Sequence, residues 1–310
     1  MLKSLQKAFK VKEVRDRLLY TFMMLVVIRI GCCLPIPGVD PSYLHDFFSN
    51  LQNSGMGFFN AITGGSFSSM SIFALSITPY ITSSIIMQLL TIAIPKLEEM
   101  QKDGEDGRKK IAEYTRYLTV GLALFESCAM AVGLGGKGLL LEDHRNIWGY
   151  LTVVAAMTAG SALLMWIGER ITDNGVGNGI SIVLLINIVS GTPQDMMTLY
   201  ERFMAGRSVA VATVSGIIVL AIIVAIVVFV LVLNDAERRI PVQYSKKMQG
   251  RRMIGGQSTY IPLKVNTANV IPVIFASSIM SMPVMIAQFF HVDYSTIGGK
   301  ILLALSSSNW

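Results

Sequence analysis

The residues of this sequence that could do chemistry are few, and their spacing suits neither catalysis nor metal binding. They are three histidines and three cysteines: His45, His144, His291, Cys32, Cys33 and Cys128. None of them has the spacing of a zinc site, and an odd number of cysteines argues against a disulfide framework. The HExxH, GxSxG and Walker A motifs are absent from the sequence. We therefore predict a protein that is not an enzyme and that has no metal or other cofactor.

The composition is that of a membrane protein. Of the 310 residues, 52% are hydrophobic and only 15% are charged, whereas soluble domains carry about 25% charged residues. The charges collect in a few segments that are separated by long uncharged runs. This pattern favours an all-α, polytopic protein that crosses a bilayer several times.

Seven apolar runs are candidates for transmembrane helices, because about 20 apolar residues cross a hydrocarbon core about 30 Å thick. The fifth run is short. The predicted spans are Leu18–Leu34, Ser76–Ile94, Tyr117–Leu134, Ile147–Ile167, Gly177–Ser190, Ser208–Leu233 and Asn266–Phe290.

The basic residues predict the orientation of these spans. Most of the 26 Lys and Arg residues fall on one side, in segments 1–17, 95–116 and 234–265. Cytoplasmic segments carry this excess, so we expect the N-terminus in the cytoplasm and, after seven spans, residue 310 outside. The net charge of +6 is thereby explained without nucleic acid.

The uncharged stretch between Asp46 and Lys96 is too long for one span. Glycine and serine clusters interrupt it, notably Gly64-Gly65-Ser66, and such clusters end helices. We predict a short re-entrant element at 56–71, which survives at membrane depth only inside protein or beside a watery cavity. An amphipathic helix on the outer surface is the alternative.

Two functional questions stay open on these patterns alone. The basic loop 234–265 is typical either of a docking surface for an acidic partner or of an ordinary loop that faces anionic lipid. Glu126 and Arg29 lie within predicted spans, where ionisable groups often serve transport. An ion-coupled secondary transporter of a small solute is therefore the alternative to a passive channel.

Specific strings resemble one family. They are Arg29–Gly31, Pro35–Gly38, Asn60–Gly65, Ser71–Leu75, Pro79–Ile81, Gly104–Ile111, Tyr114–Tyr117, Gly177–Ser181, Gln249–Arg252 and Pro262–Ser278. In these strings the chain is similar to the SecY channel subunits of the bacterial Sec translocon, and the strings occur in the family's order.

The resemblance implies an inverted-repeat channel of ten spans in two halves. Residues 1–189 would be the N-terminal half, 190–207 a hinge loop, and 208–310 an incomplete C-terminal half with the cytoplasmic loop 234–265. The chain would then be truncated after the seventh transmembrane helix.

The resemblance also implies roles for particular residues. Segment 56–71 would be a plug that includes Asn60, Ile62, Gly64, Gly65 and Phe67. The pore ring would be Ile77, Ile81, Leu184 and Ile274, and the lateral gate would include Gln88 and Asn266. Partner docking would use Arg108, Lys109, Lys110, Arg238, Arg239, Lys246, Lys247, Arg251 and Arg252.

A protein-conducting channel is the function that the resemblance implies. Unfolded secretory polypeptides would cross the bacterial cytoplasmic membrane through it, and transmembrane segments would leave it sideways into lipid. SecE and SecG would be partner subunits, and the SecA ATPase or the ribosome would drive transport.

Overall fold

A computed structural model describes residues 10–40, 60, 62–135, 138, 140–141, 145–242, 247–249, 252–254, 259–267 and 276. Within these residues the chain forms seven helices and four short strands. The helices are α1 (Lys12–Cys33), α2 (Thr78–Ala93), α3 (Pro95–Lys102), α4 (Glu105–Leu134), α5 (Ile147–Asn174), α6 (Gly179–Phe203) and α7 (Val209–Asp235). The strands are β1 (Glu237–Val242), β2 (Lys247–Gln249), β3 (Arg252–Ile254) and β4 (Thr259–Lys264).

The predicted helical fold is confirmed, and six of the seven predicted spans lie largely within α1, α2, α4, α5, α6 and α7. By length and composition, α5, α6 and α7 could each cross a membrane. The pair α2–α3, bent by 103° at Ile94, could be a fourth crossing of the described part. The seventh predicted span lies almost entirely outside the described residues.

The prediction of a loop at 190–207 is wrong for most of its length. Helix α6 continues through Pro193 and ends at Phe203. The apolar run stops at Val189, but most of the residues from Gln194 to Phe203 are good helix formers, namely Gln, Met, Leu, Glu and Arg. Hydropathy therefore marked the end of the apolar run and not the end of the helix.

The described chain divides into two compact units. Residues up to 193 belong to the first unit, and residues 194–267 belong to the second. The core of the first unit forms where α5 packs against α4 and α1, and where α2 packs against α4.

Glycines let the backbones in the first unit approach closely. A Cβ on Gly160 of α5 would collide with the carbonyl oxygen of Ile72, and one on Gly179 would collide with the carbonyl oxygen of Gly168. Small residues allow such contact between apolar helices, where packing replaces the hydrophobic effect as the driving force.

Hydrogen bonds join helices α4 and α5 in addition to this packing. The Ser127 and Thr158 hydroxyls lie 2.9 Å apart, and Arg116 Nε donates to Glu169 at 2.7 Å. The hydrogen bond to Glu169 raises the pKa of Arg116. The ion pair of Arg116 with Glu169 joins the two helices outside the predicted spans.

In the second unit, the basic loop forms antiparallel strand pairs that the sequence analysis did not predict. Strand β1 pairs with β4, and β2 pairs with β3. In the first pair, Glu237 lies opposite Lys264, and opposite charges at such positions stabilise a sheet. The Arg239 guanidinium lies 4.6 Å from the ring centroid of Tyr260, a favourable cation–π distance.

The glycine contacts predict opposite effects for two alanine substitutions. Gly160→Ala should lower stability by about 1–3 kcal/mol, because the added methyl overpacks the contact with Ile72. Gly121→Ala on α4 meets nothing within 4 Å and should leave stability unchanged or raise it by about 0.5–1 kcal/mol. Thermal unfolding of the detergent-solubilised chain measures both. Equal midpoints for the two variants would contradict this packing.

Candidate functional site

Residues 62–77, here named the turn segment, form a run of turns that immediately precedes α2. Most of it is inside the first unit: Thr63, Phe67, Met70, Phe73 and Leu75 are all buried. An amphipathic helix on the outer surface is therefore wrong for these residues. The turn segment is irregular chain packed among apolar helices.

Backbone hydrogen bonds tie the turn segment to the end of α1. The Ile36 amide donates to the Met70 carbonyl, and the Ile72 amide donates to the Leu34 carbonyl, each at 3.0 Å. Asn60 closes the first turns, since its side-chain oxygen accepts from the Ser68 amide at 3.1 Å. These bonds satisfy polar backbone groups that have no helix to pair them.

The end of the turn segment is bonded to α5 and α6 through Ser76. Asn187 Nδ2 donates to Ser76 Oγ at 3.0 Å, and Ser161 Oγ donates to the Ser76 carbonyl at 3.3 Å. Ser76 has a φ of 53°, which is unusual for a residue with a side chain. Helices α5 and α6 thus hold a strained turn in place.

Gly64 lies against the backbone of α6. It has a φ of +65°, and a Cβ there would lie 2.7 Å from the Asn187 carbonyl oxygen and 2.8 Å from Ser190 Oγ. Ser190 Oγ donates to that carbonyl at 2.6 Å and accepts from Arg29 Nη1 at 2.8 Å. Only glycine combines this conformation with this contact.

Comparisons with known proteins identify the family. The SecY family pattern matches residues 71–308. The chain is 46% identical over 301 residues to the protein translocase subunit SecY of Streptomyces scabiei, covering 93% of this chain and 68% of that protein. The chain belongs to the SecY family. The SecY of Pseudomonas aeruginosa is 42% identical over 278 residues, which is 90% of this chain and 62% of the relative.

Solved structures show the same fold. A protein-conducting channel matches with a TM-score of 0.53 and 21% identity, over 89% of this chain and 59% of that one. A SecY whose plug domain stabilises the closed state matches with a TM-score of 0.55 and 19% identity, over 92% and 61%. This SecY-family chain thus spans about three fifths of those structures.

Three of the four residues predicted for the pore ring belong to one apolar cluster. Ile77 is fully buried in it, while Ile81 and Leu184 pack against it and stay partly exposed. Ile274 lies outside the described residues. The assignment of these residues to a ring stays a prediction, with Ile81 and Leu184 the two that reach the surface of the described chain.

The predicted plug of this SecY-family chain overlaps the turn segment. Residues 56–59 and 61 lie outside the described chain. Asn60, Ile62, Gly64 and Gly65 are half-buried, and Phe67 is buried. The described part of the predicted plug is therefore packed inside the first unit.

The predicted gate and docking residues lie away from the turn segment in sequence. Gln88 is exposed on α2, and Asn266 is half-buried just after β4. Of the predicted docking residues, those on α4 and β1 are all exposed: Arg108, Lys109, Lys110, Arg238 and Arg239. Lys247 and Arg252 lie on β2 and β3, and Lys246 and Arg251 lie outside the described residues.

Sequence reasoning missed the residues of α6 that contact the turn segment. Asn187 and Ser190 interrupt or end the apolar run that begins at Ile180. A polar side chain in such a run is expensive to bury without a partner. Asn187 could therefore have been predicted from the sequence to have a hydrogen-bond partner, although the sequence does not reveal which residue that partner is.

Two neighbouring glycines test the contact between the turn segment and α6. Gly64→Ala and Gly65→Ala both place a side chain at positive φ, which costs about 1–2 kcal/mol. A Cβ at Gly65 meets nothing within 4 Å, so only the change at Gly64 adds a collision with α6. Thermal unfolding should show the larger loss of stability for Gly64→Ala. A larger loss for Gly65→Ala would contradict the contact with α6.

Proposed function

We propose that this chain supplies the N-terminal part of a protein-conducting channel for unfolded polypeptides. Membership of the SecY family supports this. The observation that carries it is residues 62–71, where the predicted plug and the turn segment overlap: this irregular chain is packed among apolar helices and held by hydrogen bonds. Such a segment suits a plug, because it fills an interior without being a continuous structural helix.

Apolar side chains beside the plug supply the second part of the seal. Ile77, Ile81 and Leu184, with Ile274, would form a collar that disfavours water and ions. Such a collar makes no hydrogen bond to any particular side chain. Polypeptides of different sequence therefore slide through it without being bound tightly.

Release of transmembrane segments into lipid would occur at a lateral gate that includes Gln88 and Asn266. The exposed basic residues of α4 and β1 would dock the SecA ATPase or the ribosome, with SecE and SecG as further subunits. The chain would lie in the bacterial cytoplasmic membrane with its N-terminus in the cytoplasm. The lopsided distribution of Lys and Arg supports this orientation.

The transporter alternative has no support from the comparisons. Its two candidate residues lie on different helices. Arg29 of α1 donates a hydrogen bond to Ser190, which contacts the turn segment, and Glu126 lies on α4. A structural role explains Arg29 without any coupling ion.

Deleting the plug tests the seal. We would use a chimera in which this chain replaces the matched 68% of the Streptomyces scabiei relative, so that the protein has its family's length. In planar bilayers, deletion of 56–71 should raise the resting ion conductance several-fold, because only the collar then remains. Unchanged conductance in correctly inserted protein would count against a plug.

Cross-linking tests the path of the polypeptide. A photo-crosslinking amino acid at Ile81 of the chimera should capture a stalled secretory chain. The same group at Phe125, which is half-exposed on α4, serves as the control and should not. Equal capture at both positions would show that Ile81 does not line a conduit.

A further inference from the structure

Resting on the proposed function, we propose that Asn187, Ser190 and Arg29 form a latch that holds the turn segment in its seat and thereby sets how readily the channel opens. They are positioning residues, since they act through the turn segment and not on the translocated polypeptide. Asn187 and Ser190 of α6 contact both ends of that segment, and Arg29 of α1 is bonded to Ser190.

Asn187 is the centre of the latch. Its side chain is 1% exposed on an apolar helix, and its amide is bonded on both sides. Nδ2 donates to Ser76 Oγ at 3.0 Å, and Oδ1 lies 4.0 Å from Cys32 Sγ, which donates to it. A buried amide without partners is costly, so Asn187 favours the arrangement in which Ser76 stays beside it.

Ser190 and Arg29 form the second part of the latch. The guanidinium of Arg29 reaches from α1 to Ser190 Oγ at 2.8 Å, and that hydroxyl is bonded to the Asn187 carbonyl at 2.6 Å. Gly64 rests on these same two α6 atoms. The early turns of the segment therefore sit on a surface whose shape the Arg29–Ser190 bond fixes.

Hydrogen bonds suit a closure that must be reversible. Each bond contributes modestly to stability. Breaking it in a site without water leaves a buried polar group without a partner, which costs free energy. Displacing the segment separates Ser76 from Asn187, so the latch favours the seated state. A partner or a polypeptide that displaces the segment has only a few such bonds to break.

Cys32 is a native reporter of this seat. It is 5% exposed and contacts Asn187, whereas Cys33 is exposed and Cys128 is partly exposed. In the chimera with Cys33 and Cys128 replaced by alanine, and with any cysteine of the relative's portion removed, Cys32 is the only thiol. Its rate of reaction with a small water-soluble maleimide then measures displacement of the segment independently of ion flow.

Two variants remove the latch to different degrees. Asn187→Leu keeps the side-chain size and removes both amide bonds, and Ser190→Ala removes one hydroxyl from the seat. We expect the Cys32 reaction rate to rise about tenfold in the first and a few-fold in the second, the effect of one or two lost hydrogen bonds. Arg29→Lys, which retains a donor, should react more slowly than Arg29→Met.

Ser127→Ala is the matched control. It removes a buried hydroxyl that bonds α4 to Thr158 of α5 and not to the turn segment, so the Cys32 rate should not change. Thermal unfolding of every variant separates displacement of the segment from loss of the fold.

The outcomes separate the latch from the proposed function. Faster Cys32 reaction together with a raised resting conductance supports both. Faster reaction with no change in conductance supports the latch and overturns the plug as a seal. An unchanged rate in both Asn187→Leu and Ser190→Ala overturns the latch, as does an equal rise in Ser127→Ala. A rise in conductance without faster Cys32 reaction also overturns it.

Discussion

A chain that is not helical can lie between apolar helices only if its polar backbone groups find partners in the protein. The turn segment meets this constraint at residues spread from Gly65 to Ser76. Its early turns bond to one another, its middle pairs with Leu34 and Ile36, and Ser76 binds to α5 and α6. These bonds join the segment to α5, to α6 and to the residues that follow α1.

Close packing follows from the same constraint. Hydrogen bonds of about 3 Å from the segment to the surrounding helices require that the backbones come near one another. Glycines at 64 and 160 allow this, because any larger residue would collide with Asn187 or Ile72. The segment is thus fixed by hydrogen bonds at a few residues and by close packing of the residues between them. This arrangement holds the segment in one position.

Hydropathy predicted most of the helical architecture, because the length of an apolar run is a property of the sequence alone. It failed where a helix continues into polar residues, as α6 does to Phe203. It also gave no indication of the β1–β4 pairing, which joins residues on either side of a segment rich in glycine and charge. Antiparallel pairing depends on which distant residues come opposite, and local composition does not specify that.

For the candidate site, the sequence by itself determined the membrane class and the family, and it predicted a short irregular element before α2. Uncharged runs and ordered motifs carry that information directly. Only the tertiary structure decided that Asn187 bonds to Ser76, 111 residues away, that Ile77 is fully buried while Ile81 is not, and that Arg29 acts on α6. These outcomes depend on how helices pack, because a hydrogen bond forms only when two distant residues are brought within about 3 Å of each other.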